Sequence, residues 1–220
     1  MKCKNKMKKV FLSCWLLLTV GIATSVFNSC KEEDDPTEHV NPTFDEGVVI
    51  NGVKWATRNV TAIGRFANKP EDTGMFYQWN CKWPWSATGN VNDWSTDNSA
   101  GTVWEKANDP SPAGWRVLTL DEVKSLLDPD KVSSEWTTVN KINGRRFTDK
   151  ETGNSIFLPA AGSRSYDIGS LNNAGYSGRY WSATQSDSNT AYFLDFDSEN
   201  AGWSGFYRRT NGFSIRSVAE

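Results

Sequence analysis

This chain has few of the side chains from which catalytic sites are usually built. Its one histidine, His39, lies in an acidic, proline-containing stretch near the N-terminus. The body of the chain therefore has no basis for a Ser-His-Asp or Cys-His site, nor for a histidine-bearing metal site. Of the four cysteines, Cys3, Cys14 and Cys30 fall in or at the end of an N-terminal leader, and Cys81 stands alone in the remaining domain. It reads as a small buried or semi-buried thiol. Asp195 and Asp197 share a strand face about 7 Å apart, a spacing that suits a glycosidase pair or a cation. The face opposite Leu194 and Phe196 is read as the solvent side, which makes these two acids solvated groups. DFDSEN (195–200) begins like a calcium loop, but it lacks glycine at the sixth place and has Phe206 at the twelfth. No catalytic residue and no metal ligand is assigned and no cofactor is expected, with a structural calcium left open.

The chemistry that remains is recognition. Trp203, Tyr207, Arg208 and Arg209 lie close together near the end of the chain, and Asp187 and Asn189 lie in the Ser186–Asn189 loop before them. Aromatic and arginine side chains among Gly, Ser and Asn suit stacking on a sugar ring or anchoring a protein. The plainer alternative stays open, with Trp203 packed on a sheet and the two arginines solvated. A second candidate loop holds Trp83, Trp85 and Trp94, for which a core role competes with a binding one.

The elements that must position these residues are short strands. In the C-terminal region, Tyr192, Leu194 and Phe196 alternate with Ala191, Phe193 and Asp195. Such alternation, broken by Ser/Asn/Gly clusters, predicts strands over Arg179–Thr184, Thr190–Asp197, Trp203–Arg209 and Phe213–Val218. A strand pair over Val48–Val60 turns at Asn51-Gly52. Thr119–Leu127 predicts a helix, with Thr119 as N-cap, Glu122 completing a capping box and Pro129 ending it. Trp136–Phe147 and Asn154–Ala161 read as strands around turns at Asn143-Gly144 and Thr152-Gly153-Asn154. Trp55, Trp115, Trp181, Ile215 and Val218 are the expected core. The domain has ten tryptophans after the leader, so aromatic burial is expected to supply much of that core.

The first 29 residues carry a lysine-rich start, an apolar run over Val10–Phe27 and a small residue before Cys30, which together form a secretory signal. The cysteine position resembles a bacterial lipoprotein site, with Cys30 acylated. Lys31–Asp35 resembles the export signal of Bacteroidetes surface lipoproteins. Residues 30–46 read as an acidic flexible tether and 47–220 as the domain. Removal of the leader leaves nineteen bases against twenty-six acids. Seven of those acids lie in the tether, so the domain is nearly neutral. That balance argues against a nucleic-acid partner, and membrane attachment is expected only through the lipid on Cys30.

GVKWATRNV, DTGMFYQW, PAGWRVLTLDEVKSLL, GNSIFLPAAG, GRYWSAT and FSIRSV follow one another in that order. Together they resemble the Fibrobacter succinogenes major paralogous domain family over almost all of residues 48–218. The resemblance implies an α+β, C-type-lectin-like fold, a loop-rich mixed or antiparallel sheet with one or two helices and its terminal strands paired. It implies a non-catalytic module, lipid-anchored in the outer membrane and exposed at the cell surface, that recognises an extracellular glycan or protein through C-terminal strand and loop residues. Two alternatives accompany it: a structural or adhesin subunit of a surface fibre, and a retroelement-diversified variable ligand-binding protein. The oligomeric state is not legible.

Overall fold

The computed structural model describes residues 41–220; Cys30, His39 and the leader lie outside the described residues. The chain opens with β1 (Val48–Ile50) and β2 (Val53–Trp55), joined at Asn51-Gly52. Both turn residues have positive φ, at 44° and 78°, which is the tight hairpin this dipeptide favours. A ribbon of β3 (Val60–Ala62) and β4 (Arg65–Phe66) follows. After a long irregular stretch, β5 (Trp115–Val117) leads into α1 (Leu120–Leu126). Next come β6 (Val132–Val139), β7 (Ile142–Asp149) and β8 (Ser155–Pro159), an antiparallel sheet, then the ribbon of β9 (Ser163–Arg164) and β10 (Leu171–Asn172). The C-terminal sheet is β11 (Gly178–Gln185), β12 (Ala191–Phe196) and β13 (Ala201–Ser204). The last strand, β14 (Ser217–Ala219), inserts between β2 and β5, so the two ends of the domain share one sheet in the order β1-β2-β14-β5. The architecture is mostly antiparallel sheet with one short helix.

The helix forms as its capping residues predict. Thr119 Oγ1 accepts from the Glu122 backbone, and the Glu122 carboxylate accepts from the Thr119 N–H at 2.6 Å. Arg116 donates both terminal nitrogens to the same carboxylate, at 2.6 and 2.9 Å. Seven residues are too few for a helix to persist alone, so burial of Val123 and Leu126 holds it on the sheet.

Three strand expectations are corrected. Asn143-Gly144 is not a turn but part of β7, and the β6–β7 turn is Asn140-Lys141, with φ of 48° and 69°. Gly144 is needed for a different reason: a Cβ there would lie 2.3 Å from the Leu158 carbonyl oxygen and 2.5 Å from the Phe157 ring. The strand expected over Trp203–Arg209 ends at Ser204, and Gly205–Arg208 is a loop. The third correction concerns β12, whose face opposite Leu194 and Phe196 is buried at Ala191 and Phe193 and reaches solvent only at Asp195. Leu194 and Phe196 pack with Trp55, Leu118, Val123, Phe147 and Leu158 in one core, while Ala191 and Phe193 pack with Trp79, Trp104, Trp181, Phe213 and Ile215 in another. The irregular stretch between β4 and β5 supplies Trp79 and Trp104 to cover that second face, which strand periodicity cannot report.

Trp55, Trp181, Ile215 and Val218 are fully buried as expected. Trp115 is only partly buried, edge-on to Phe66 at 5.7 Å. Cys81 is buried. The end of the expected tether belongs to the fold: Asp45 is buried, ion-paired with Arg58 at 3.1 Å, and Phe66 donates its N–H to the Pro42 carbonyl.

Candidate functional site: a loop surface around Tyr207 and Arg208

β12 divides the predicted residues. Trp203 lies opposite Leu194 in the ladder and meets Tyr192 edge-on at 5.6 Å. Tyr207 packs on Phe193 at 5.3 Å and on Phe213 at 5.8 Å. Neighbouring residues of a strand point to opposite faces. Trp203 and Tyr207 therefore belong to opposite faces of the C-terminal sheet and do not form one site.

On the Tyr207 face the structure does gather a surface. Tyr207 is about one third exposed, and the Arg179 guanidinium lies 4.6 Å from its ring centroid. Arg179 is held there by Asp195 at 3.2 Å and by the Ser163 hydroxyl at 3.0 Å. Arg208 is exposed and lies 4.7 Å from the ring centroid of Tyr166, itself 45% exposed. A β-bridge joins Thr190 to Arg208, which brings the Ser186–Asn189 loop alongside. Asn189 is exposed, its side-chain oxygen accepting from Asn98 at 2.9 Å. Asp187 turns its carboxylate onto the backbone N–H groups of Asn189 and Thr190, at 2.7 and 2.8 Å. Those two bonds lower its pKa and fix the loop. Phe206, 88% exposed, projects from the same loop as Tyr207.

Arg209 is not at this surface, contrary to expectation. It is buried, and its guanidinium lies 4.1 Å from the Trp79 ring centroid. It donates to the carbonyls of Asp187, Gly101, Ser99 and Thr190 and to the Gln185 side chain, over 2.6 to 3.3 Å. Burial lowers its pKa, with Asp187 opposing. It acts as a clamp that ties the 99–101 loop to the 185–190 loop. Two adjacent arginines thus have different fates: Arg208 ends the loop at its bridge to Thr190 and stays exposed, whereas Arg209 opens the turn that follows and is buried.

The tryptophan-rich loop joins the same region. Trp85 is buried and bridges Phe76 in the main chain. Trp94 is partly buried, 4.7 Å from Trp85, and its indole N–H donates to the Tyr166 carbonyl at 3.3 Å. Trp83 is partly buried. Trp85 is therefore a packing residue, and Trp94 supports Tyr166. Arg164, fully buried, pins this loop by donating to the carbonyls of Ser86, Thr88, Gly89 and Gly169.

Sequence reasoning missed Tyr166, Arg179 and Phe206. Tyr166 and Arg179 lie far from the C-terminal cluster in the chain and reach it only through β9 and β11. Asp195 and Asp197 do not form a carboxylate pair: the first holds Arg179, while the second accepts from the N–H groups of Glu199 and Asn200, both at 2.8 Å. Among the described residues, no group of three or more His, Cys, Asp or Glu side chains is placed to share a metal ion.

Fold and surface define a β-rich domain that carries an aromatic and arginine loop face. Over residues 123–218, from within α1 to β14, the chain is similar to a domain of unknown function (DUF8237). No curated protein and no solved structure matches it. The matched stretch holds Tyr166, Arg179, Asp187, Asn189, Tyr207 and Arg208, and it leaves out the loop that contributes Trp94 and Asn98.

Proposed function

We propose that this protein is a non-catalytic binding module with a C-type-lectin-like fold. It is held in the outer membrane by a lipid on Cys30, faces outward, and recognises an extracellular glycan or protein through the Tyr207–Arg208 face. One observation carries this reading: two guanidinium–ring pairs, Arg208 on Tyr166 and Arg179 on Tyr207, are built on the consecutive residues Tyr207 and Arg208, next to the 99–101 and 185–190 loops that buried Arg209 ties together. Tyrosine gives large contact area with few rotatable bonds, arginine adds a planar fork of donors, and loops already ordered lose little entropy on binding. The acids around this face are engaged in turn bonds or with Arg179, an arrangement that suits holding a ligand rather than moving protons.

The test is a double variant, Tyr166→Ala with Arg208→Ala. Exposed substitutions of this kind change stability by about 0.5 kcal/mol or less, whereas truncating a binding hot spot costs about 2 kcal/mol or more. The expected result is an unchanged melting temperature with loss of binding to a glycan array or to labelled surface proteins that retain the full-length wild type. Undiminished binding by a folded double variant would overturn the assignment of this face.

A further inference from the structure

Trp203, excluded from the loop surface, has a site of its own. It stands on β13, the outer strand of its sheet, and is 48% exposed. The outer side of α1 faces it, with Lys124 Nζ 5.5 Å from the indole centroid and 3.7 Å from the Asp121 carboxylate. Between helix and strand lies a shallow hollow of about 550 Å³, lined by Asn51, Asp121, Lys124, Ser125, Asp128 and Trp203. Its far wall is rigid: the Asn51 side chain donates to the Ser125 carbonyl at 3.0 Å, and the Ser125 hydroxyl donates back to the Asn51 carbonyl at 3.1 Å.

The chemistry of this hollow is specific in three respects. A half-exposed indole gives a flat, electron-rich apolar face on which the C–H side of a pyranose ring can stack. Asp121 and Lys124, both exposed, give an acceptor and a donor beside that face for ring hydroxyls. Two carboxylates against one ammonium make the lining slightly acidic, which disfavours sulfated, phosphorylated or uronic ligands. An open hollow suits a ring within a longer chain rather than an enclosed small molecule. Lys124 reaches the ring on a long flexible stem, so its movement from indole to hydroxyl disturbs no core packing.

We infer that Trp203 and the flank of α1 form a second binding site, for a neutral saccharide chain, with one pyranose ring stacked on the indole and Asp121 and Lys124 bonded to its hydroxyls. Its side of the sheet is opposite to that of Tyr207, so it stands or falls independently of the loop face. The test is native electrophoresis of the full-length protein through gels containing soluble xylan, β-glucan or glucomannan, with polygalacturonate as the anionic comparison. At least one neutral polymer should retard the wild type. Trp203→Ala should weaken that retardation roughly 30-fold or more at unchanged melting temperature, and Trp203→Phe should fall between. Asp121→Ala, on the exposed helix face, should weaken it as well, while Tyr207→Ala should leave it intact. Wild-type mobility unaffected by every neutral polymer, retardation only by polygalacturonate, or retardation that survives both Trp203→Ala and Asp121→Ala would each overturn the site.

Discussion

Arg216 shows how single residues hold this fold. It is fully buried and, among the described residues, has no carboxylate in hydrogen-bond reach: Nε donates to the Asn59 side-chain oxygen at 2.9 Å, and its terminal nitrogens donate to the carbonyls of Ala56 and Phe157 at 3.1 and 3.0 Å. Burial lowers its pKa, with neighbouring Tyr180 as the first opposing influence. Burial likewise pushes the Tyr180 hydroxyl up to about 12, so it stays a donor, to the Pro159 carbonyl at 2.7 Å. Three buried acceptors thus depend on one planar fork, which lysine cannot reproduce. Hydrogen bonds to charged groups contribute about 1.5–3 kcal/mol each, and orphaned buried carbonyls add a further penalty. Arg216→Met is expected to lose about 3 kcal/mol or more in urea unfolding, and Arg216→Lys to recover little of it. A loss below about 1 kcal/mol would show that water or a local shift replaces the fork.

Among the elements, the β6–β7 hairpin makes the most specific claim. Its turn places Asn140 and Lys141 in the left-handed region, where Asn is tolerated and Lys is strained by about 1 kcal/mol. Lys141→Gly should therefore raise stability, by up to about 1 kcal/mol. Gly144→Ala, three residues on, should do the opposite and cost several times as much, because the Leu158 carbonyl and the Phe157 ring belong to the neighbouring strand and cannot easily give way. Thermal unfolding of the two variants side by side checks the register. If Gly144→Ala is harmless, the turn lies at Asn143-Gly144 after all.

For the whole molecule, two aromatic cores meet on opposite faces of β11 and β12, and α1 covers only the first. No helix among the described residues is long and apolar enough to cross a membrane. The proposed surface location consequently rests on residues ahead of the fold, and it yields its own test. Cys30→Ala should abolish incorporation of labelled palmitate and release the protein from membranes. Neutralising Lys31–Asp35 should keep the lipoprotein labelled but out of reach of protease added to intact cells. Palmitate incorporation at the wild-type level in Cys30→Ala would remove the anchor from the proposal.

What the sequence determined alone is local. The Thr119–Glu122 capping box, the Asn51-Gly52 turn, the alternation of β12 and burial of Trp55, Trp181, Ile215 and Val218 each depend on residues a few positions apart, and each was legible. The resemblance added the pairing of the chain's two ends, which strand β14 between β2 and β5 displays. Tertiary structure decided the rest, because long-range contacts override local pattern. Coverage of the Phe193 face depends on Trp79 and Trp104, more than eighty residues away in the chain, so alternation could not show that both faces of β12 contribute to a core. Arg208 and Arg209 have the same local composition, yet the first meets Tyr166 while the second, in the turn that follows, packs on Trp79 beneath the loops. Trp203 and Tyr207 are four residues apart, and the end of β13 at Ser204 places them on opposite sides of one sheet. Their separation turned one expected surface into two, since a strand's alternation sets which way each side chain points only once its register and its end are fixed.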